Sequence, residues 1–219
     1  SEFEETEALG WVPKGWEVCA FASVAEHIKN NVKPDDIADG DLYFGLEHFT
    51  RKSIFLFDGG CGSDVDSNKS AFRKGDLLFG KLRPYFHKVA IAPESGICST
   101  DILVFRSKSV SMTSFMYLTA FSEEFVEYSN LRSTGTRMPR ASAKDMLAYK
   151  IVKPCNVILG LFENITKPLW ERGGKGLQEN SHLSKLRDTL LPKLISGELR
   201  LPESMLDSET NPSAETAYE

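Results

Sequence analysis

The stretch from residue 132 to residue 140, RSTGTRMPR, holds side chains of the kinds that bind a phosphate group. Three arginines alternate with three hydroxyl residues around one glycine: Arg132, Ser133, Thr134, Gly135, Thr136, Arg137 and Arg140. Guanidinium and hydroxyl groups donate hydrogen bonds to phosphate oxygens, and a glycine lets the backbone approach a ligand closely. A stretch this rich in Gly, Pro and hydroxyl residues is predicted to be a loop. We interpret it as a phosphate-binding loop, with an ordinary solvated loop as the alternative.

A second basic stretch follows the apolar run LLFG at residues 77–80. In GKLRPYFHK, cations surround a proline and two aromatic residues: Lys81, Arg83, Pro84, Tyr85, Phe86 and Lys88. The proline would stiffen the loop, and the ring of Tyr85 would either face a ligand or pack in the core. Neighbouring loops add further polar and basic residues: Arg51, Lys52, Asn68, Lys69 and Arg73. Together these stretches predict a surface that binds a polyanion.

The patterns that enzymes and metal sites need are missing from the sequence. The cysteines never form a CxxC pair, the histidines lack ligand spacing, and no GxSxG is present. The stretch DVDSN resembles the start of a calcium loop but lacks the turn glycine and the closing glutamate. We expect no metal and no cofactor. A small hydrolase or nuclease that uses Asp76, Asp101 or Cys98 is the alternative, since a catalytic partner distant in sequence leaves no spacing signal.

Length and composition predict one globular core with an appended element. The chain has 219 residues, of which 41% are hydrophobic. No apolar run approaches the roughly 20 residues that cross a bilayer, so we expect a soluble, cytoplasmic protein with reduced thiols and no membrane partner. The net charge is -5, yet residues 51–153 hold 16 Lys and Arg against 10 Asp and Glu. This distribution allows one positive face on an acidic protein.

The first two thirds of the chain are predicted to form an α+β domain. Short runs rich in Phe, Ile, Leu and Val alternate with polar clusters in DLYFGL, SIFLF, DLLFGKL, KVAIA and ILVFR. Such runs are typical of strands in a mixed or antiparallel sheet. Residues 112–131 place Phe115, Leu118 and Phe125 at helical intervals, which predicts one amphipathic helix. Strand character returns in LAYKIVKP at residues 147–154.

Residues 156–195 have the pattern of one long helix of the coiled-coil type. Apolar residues fall on two companion seven-residue registers: Phe162, Leu169, Leu183 and Leu190 on one, and Ile165 and Leu186 on the other. This seam predicts pairing with another helix, and a helix of this length would reach about 60 Å. The glycine-rich ERGGKG at residues 171–176 weakens its centre, so a hairpin is the alternative. The unchanged register favours a continuous helix.

These patterns divide the chain into three predicted parts. Residues 1–153 form the α+β domain, and residues 154–197 form the long helical region. Residues 198–219 form a tail that is acidic, polar and predicted to be disordered.

Three stretches together resemble the specificity subunits of type I restriction-modification systems. They are KGDLLFGKLRPYFHKVAIAPESGICSTDILVFR, STGTRMPRAS and HLSKLRDTLLPKLISGEL. The resemblance extends from PKGWEV to ISGEL, and LRDTLLPKLISGEL is its most specific part. The glycine-rich ERGGKG departs from the pattern, because ordinary helix formers are expected there.

The resemblance implies a target recognition domain that binds a few base pairs of double-stranded DNA. It also implies that the long helix docks methyltransferase subunits and sets the spacing between half-sites. Methylation and cleavage would belong to the methyltransferase and restriction subunits, so the chain itself is expected not to be an enzyme. A complete subunit of this family carries two such domains and two helical regions, so this chain resembles either a half subunit or the C-terminal half of a longer one. A half subunit would pair with a second copy through the helix as a homodimer.

With this resemblance, the basic residues have two different expected roles. Lys81, Arg83, Arg137 and Arg140 are expected to hold phosphates. Arg51, Lys52, Asn68 and Lys69 are candidates to read base edges in the major groove. A helical adaptor that does not bind DNA is the second alternative, beside the small enzyme.

Overall fold

The computed structural model of the chain describes residues 2–6 and 10–200. Its strands are β1 (Phe3–Thr6), β2 (Gly10–Pro13), β3 (Glu17–Ala20), β4 (Ala25–Ile28), β5 (Asn31–Val32), β6 (Leu42–Phe44), β7 (Gly60–Cys61), β8 (Lys69–Phe72), β9 (Leu77–Gly80), β10 (Val89–Ile91), β11 (Gly96–Ser99), β12 (Ile102–Ser107) and β13 (Lys150–Lys153). Its α-helices are α1 (Thr113–Phe121), α2 (Glu123–Leu131), α3 (Ala143–Leu147) and α4 (Asn156–Ile195). The predicted α+β class is confirmed, because mixed sheets and short helices precede a long helix. Most of the predicted tail, from residue 201 onward, lies outside the described residues.

An antiparallel sheet of four strands, in the order β10-β9-β12-β4, is the central layer of the α+β domain. Successive residues of a strand point to opposite faces of a sheet. Leu77 and Phe79 of β9 pack in one hydrophobic cluster, and Leu78 between them packs in a second cluster. The unbroken apolar run LLF is therefore a strand that is covered on both faces.

The two clusters separate three layers. Phe21, Phe105 and Phe125 contribute to the first cluster, which joins the central sheet to α1, α2 and α3. Phe44 and Phe72 contribute to the second cluster, which joins the central sheet to a sheet in the order β5-β8-β11-β6-β7. In this outer sheet β11 and β6 are parallel, and the other pairs are antiparallel.

The central strands define two ends of the α+β domain. At the first, which we call the loop end, β9 finishes at Gly80 and leads into residues 81–88, and Ile102 of β12 pairs with Gly80. Arg73 precedes β9 at the opposite end, which we call the far end. The four residues of β9 separate the two ends by about 13 Å.

Two predicted elements are wrong. The predicted helix over residues 112–131 is two helices, because Ser122 has an extended backbone and its hydroxyl accepts a hydrogen bond from the Phe125 N–H at 3.2 Å. This serine cap starts a new helix in spite of the apolar spacing. The predicted strand in SIFLF is irregular; Phe55 forms one isolated bridge, to Ile91, and packs its ring against Trp170 of α4.

Helix α4 has the bounds that the apolar pattern predicted, and it runs through residues 171–176 as a single helix. The chain divides into two compact units, residues 1–174 and residues 175–219, so the first turns of α4 belong to the first unit. The separate prediction of a domain boundary at residue 153 stays a prediction.

Inside the first unit, α4 is tied to the start of α1. The N-terminus of α1 has no side-chain cap of its own. Glu163 of α4 is buried, and its carboxylate accepts a hydrogen bond from the Ser114 N–H at 2.7 Å. Trp170 donates its indole N–H to the Ser114 hydroxyl at 2.8 Å. A carboxylate beside the positive end of a helix is electrostatically favourable, so α4 supplies the cap that α1 lacks.

Gly173 accounts for part of the unusual ERGGKG sequence. A Cβ atom at Gly173 would lie 2.8 Å from Cζ of Phe55, so only glycine allows this approach without displacing the ring. A Cβ atom at the adjacent Gly174 would have no neighbour within 4 Å. Alanine at Gly173 would therefore require the Phe55 ring to shift, whereas alanine at Gly174 would not.

Candidate nucleic-acid interface

The structure joins the two basic stretches of the sequence into one surface at the loop end. The N–H of Arg83 donates to the Pro139 carbonyl at 2.7 Å, and the N–H of Ala141 donates to the Lys81 carbonyl at 2.9 Å. Leu82 also forms an isolated bridge with Arg140. Residues 81–88 and 132–141, about fifty positions apart, are thus held together by main-chain hydrogen bonds. We call them the paired loops.

The second of the paired loops closes on itself. Thr134 and Arg140 exchange main-chain hydrogen bonds at 3.1 and 2.9 Å. Gly135 has φ +102°, a conformation that favours glycine. Ser133 donates its hydroxyl to the Asn130 carbonyl at 2.6 Å and so fixes the start of the loop. Thr136 and Arg137, between the closing residues, are exposed.

Asp101 lies between two of the predicted phosphate-binding cations. Its Oδ1 is 3.7 Å from Nζ of Lys81 and 3.3 Å from Nε of Arg140. Its carbonyl also accepts a hydrogen bond from the Lys81 N–H at 2.9 Å. Asp101 therefore orients both cations and partly neutralises them. Sequence reasoning assigned Asp101 to the rival enzyme hypothesis and missed this role, which depends on the turn before β12.

The first of the paired loops contains a tight turn over residues 84–86. Arg83 and His87 flank it, each with φ 52° in the left-handed region. This conformation costs about 1 to 2 kcal/mol for a non-glycine residue, and such strain is concentrated at functional sites. His87 is buried, and its Nε2 lies 2.8 Å from the Phe121 carbonyl. Burial lowers the pKa of His87, so the imidazole is neutral at pH 7 and can donate Nε2–H to that carbonyl.

The aromatic pair in this turn is directed partly outward. Tyr85 is 47% exposed, and its ring contacts the Phe86 ring edge-on at 4.8 Å between centroids. Tyr85 therefore faces solvent and not the core. The Nε atom of Arg83 is buried and has no hydrogen-bond partner among the residues that the structure describes. A buried donor without a partner carries a desolvation cost.

Arg51 and Lys52 lie beside the same turn. The guanidinium of Arg51 lies over the Phe86 ring, 4.7 Å from its centroid, and its Nε donates to the Phe86 carbonyl at 3.4 Å. The N–H of Lys52 donates to the His87 carbonyl at 3.1 Å, and its ammonium pairs with Glu123 at 2.5 Å. These two residues thus extend the basic surface along one side of the paired loops.

Lys88 and Arg132 also lie on the paired loops, but each contacts the domain. The ammonium of Lys88 donates to the Leu46 carbonyl at 2.6 Å, which makes it a support of the loop. Arg132 holds its guanidinium 5.3 Å from the ring centroid of Tyr128. Both residues therefore shape the surface as well as adding charge.

The remaining predicted residues are separated from the paired loops to different degrees. Lys69 pairs with Ser99 across β8 and β11, so its backbone and the exposed Asn68 lie at the loop end. The Lys69 side chain is only 5% exposed, and its ammonium donates to the carbonyl and hydroxyl of Ser67 at 2.9 and 2.7 Å. Arg73 lies at the far end. The structure thus does not bring Arg73 to the surface that holds the others.

The residues of the rival enzyme hypothesis are engaged elsewhere. Asp76 is buried and accepts two hydrogen bonds from Arg106, both at 2.7 Å. Cys98 is buried, and burial together with the nearby Asp76 raises the pKa of its thiol to about 12. A thiol with that pKa has almost no thiolate at neutral pH, so it is a poor nucleophile. Among residues 2–6 and 10–200, no group of three His, Cys, Asp or Glu side chains has metal-site geometry.

The predicted pairing residues of α4 are mostly exposed. Ile165 and Leu169 in the first unit, and Leu183 and Leu186 in the second, each expose more than half of their surface. Phe162 and Leu190 are half-buried. Leu159, Glu163 and Trp170 occupy a different face, the one that contacts the rest of the first unit. In the described part of the chain, no helix is long and apolar enough to cross a membrane.

Comparisons with known proteins agree with this fold. No family model matches the chain. The chain is 27% identical over 150 residues to the type I restriction enzyme EcoDI specificity subunit of Escherichia coli, covering 65% of this chain and 32% of that protein. It is 27% identical over 208 residues to the MjaIX specificity subunit of Methanocaldococcus jannaschii, covering 88% of this chain and 46% of that protein.

A solved structure extends the comparison to three dimensions. The HsdS subunit from Thermoanaerobacter tengcongensis matches with a TM-score of 0.61 and 19% identity, over 90% of this chain and 54% of that one. The two proteins share a fold. The predicted resemblance to specificity subunits of type I restriction enzymes is confirmed, and the chain spans about a third to a half of the length of the curated relatives that it matches.

Proposed function

We propose that this chain is the DNA-recognition half of a specificity subunit of a type I restriction-modification system and binds a short sequence in double-stranded DNA. The observation that carries the proposal is the joining of the paired loops. Two basic stretches about fifty residues apart meet through main-chain hydrogen bonds and present Lys81, Arg83, Arg137 and Arg140 on one surface. A DNA backbone requires several cations held at fixed positions, and this surface provides them.

The residues of the surface divide into two roles. Lys81, Arg83, Arg137 and Arg140 hold phosphates, and the neutral donors Ser133, Thr134, Gly135 and Thr136 support them. Arg51, Lys52 and Asn68 reach base edges in the major groove, where a good bidentate contact contributes about 1 to 3 kcal/mol of discrimination. Tyr85 offers an exposed ring beside them. Lys69 is not among the proposed DNA contacts, because its ammonium is buried against Ser67. Arg73 is not among them either, because it lies at the far end.

The long helix has a separate role in assembly. Exposed apolar residues, Ile165 and Leu169 in the first unit and Leu183 and Leu186 in the second, are the contacts for a second helix, either from another copy or from a second half of the subunit. In this proposal the helix also docks methyltransferase subunits, which work with a restriction subunit in the cytoplasm. A pair of recognition domains would bind a two-part target whose spacer is set by the helices.

The chain itself is proposed to be non-catalytic. Methylation and cleavage then belong to its partners, which is consistent with the burial of Cys98 and the ion pair of Asp76. The helical-adaptor alternative predicts no DNA binding by the chain. The small-enzyme alternative predicts turnover that is lost when Asp76, Asp101 or Cys98 is replaced.

A selection from randomised duplexes tests sequence recognition. The full chain, alone and with methyltransferase subunits, is incubated with duplexes that contain a randomised stretch, and the bound fraction is sequenced. We expect a short motif to be enriched. If no motif is enriched under either condition, sequence-specific recognition by this chain is excluded.

Salt dependence tests the assigned surface. The affinity of the full chain for a fluorescein-labelled duplex is measured by anisotropy between 50 and 200 mM salt, for the wild type and for the variant R137A/R140A. Loss of two phosphate contacts should lower the slope of log affinity against log salt by about 1.8. The matched control is K74A/K167A, which removes two exposed cations away from the paired loops. Lys74 follows Arg73 at the far end, and Lys167 lies on α4 between Glu163 and Trp170, which bond to Ser114 near the start of α1. Equal slopes in the wild type and R137A/R140A would remove these arginines from the interface.

A further inference from the structure

A groove beside the paired loops contains cations that sequence reasoning missed. It lies between the edge strand β4 and α3, has an open volume of about 620 Å³, and has an apolar floor that includes Ala25, Leu103 and Leu147. Its charged lining residues are Lys29, Lys108 and Lys144, with one acidic residue, Glu26. These lysines lie in no basic run, so the sequence offered no motif for them.

The groove begins where the paired loops end. Ser142, on its wall, directly follows Ala141, whose N–H is bonded to the Lys81 carbonyl. His27, on the opposite wall, is close enough to Lys81 for that charge to contribute to the lowering of the His27 pKa, which is caused mainly by burial. The groove therefore adjoins the paired loops at Ser142 and His27.

The three groove lysines lack the acidic ion-pair partners that several loop cations have. Lys81 and Arg140 are paired with Asp101, and Lys52 is paired with Glu123. Lys29, Lys108 and Lys144 make no side-chain hydrogen bond or ion pair with any residue in the described part of the chain, and all three are exposed. Their charge is therefore not neutralised within the domain.

The backbone of β4 adds neutral donors to the same groove. In the antiparallel ladder, the Val24 carbonyl accepts from the Lys108 N–H, so Val24 is bonded toward β12. By alternation, the main-chain groups of Ala25 and His27 point away from β12, toward the groove that these residues line. Edge N–H groups and lysines together are the usual partners of phosphate oxygens.

The spacing of the lysines fits an extended polyanion. Lys108 follows Ser107, which pairs with Ala25, whereas Lys29 follows the last residue of β4. The two lysines are thus about five residues apart along the strand, or about 16 Å. This distance matches the rise of about five phosphates on one strand of B-DNA.

We propose that this groove holds the sugar-phosphate backbone of the bound DNA, with Lys29, Lys108 and Lys144 as phosphate contacts that extend the interface beyond the paired loops. This inference rests on the proposed function, since it identifies a further part of the same interface. An acidic peptide is the other polyanion that an edge strand with a lysine rim would accept. DNA is favoured because the groove adjoins the paired loops.

The test compares two double variants of the full chain with equal charge changes, K29Q/K144Q and the control K74Q/K167Q. The probe is a fluorescein-labelled 30-base-pair duplex, titrated between 50 and 200 mM salt. Loss of two contacts should lower the salt slope by about 1.8 in K29Q/K144Q, which corresponds to an affinity loss of about 60-fold at 0.1 M salt. The control should retain a wild-type slope to within experimental error.

Different failures have different meanings. A wild-type slope in K29Q/K144Q, with normal DNA binding by the wild type, overturns the groove assignment and leaves the proposed function intact. An absence of salt-dependent binding by the wild type overturns both. A labelled Glu-rich peptide of twelve residues is the second probe; if it binds the wild type but not K29Q/K144Q while DNA affinity is unchanged, the groove is a peptide site.

Discussion

The contact between Gly173 and Phe55 can be tested by alanine substitution at two adjacent glycines. Gly174→Ala meets no atom within 4 Å, so it should gain the full helix-propensity difference, about 1 kcal/mol in the free energy of unfolding. Gly173→Ala gains the same amount but places a Cβ atom 2.8 Å from Cζ of Phe55. Overpacking of this kind costs about 1 to 3 kcal/mol. G173A should therefore be less stable than G174A by about 1 to 3 kcal/mol.

A difference between neighbouring sites isolates the packing cost, because helix propensity cancels. Urea unfolding of each variant is followed by tryptophan fluorescence and by circular dichroism. In thermal unfolding the same difference corresponds to about 2 to 4 °C for each kcal/mol.

A double-mutant cycle then identifies the contacted residue. In a Phe55→Ala background the overlapping ring is absent, so G173A and G174A should become equally stabilising. If G173A already matches G174A in the wild-type background, the close approach of α4 to Phe55 is incorrect. If the difference persists without the Phe55 ring, the cause lies in another contact.

Two further predictions concern buried groups that tie the domain together. Glu163→Ala should lower the free energy of unfolding by about 1 to 3 kcal/mol, because it leaves the Ser114 N–H at the start of α1 without its acceptor, and Glu163→Gln should cost less. Urea unfolding checks both against Glu171→Ala at an exposed position of the same helix; equal effects of E163A and E171A would contradict the capping role. His87 has its pKa lowered below 6.5 in the folded state, so its contribution to stability is complete above about pH 6.5 and is lost as pH falls toward the folded pKa. His87→Asn, which tolerates the left-handed backbone, should flatten that acid limb of stability against pH, and superimposable limbs would refute the assignment.

Sequence patterns predicted the elements whose buried residues form an unbroken apolar run or a regular helical periodicity. The short apolar run LLF at residues 77–79 predicts a buried strand. The structure agrees, because both faces of this strand are covered and no position alternates to a polar residue. The apolar periodicity also predicts the bounds of α4, because it begins and ends with the helix. The break at Ser122 was missed because one serine hydroxyl decides it against a favourable apolar spacing.

The candidate site was predictable in residue type but not in arrangement. Basic loops were visible in the sequence, whereas their joining through Arg83 and Pro139 depends on the backbone of a folded domain. The burial of Lys69 could not be anticipated, because its ammonium is satisfied by Ser67 in a local turn. No sequence motif marks the groove lysines, because Lys29, Lys108 and Lys144 line one groove only once β4 and α3 have folded together.

The main-chain bonds between the paired loops have an evolutionary consequence. Arg83 meets Pro139 and Ala141 meets Lys81 through peptide groups, so these bonds do not depend on which side chain stands at the loop tip. Thr136 and Arg137 can therefore be replaced without dismantling the frame that carries them. In the proposed function, point mutations at these two positions would change the strength of phosphate binding, while the main-chain bonds that join the paired loops stay in place.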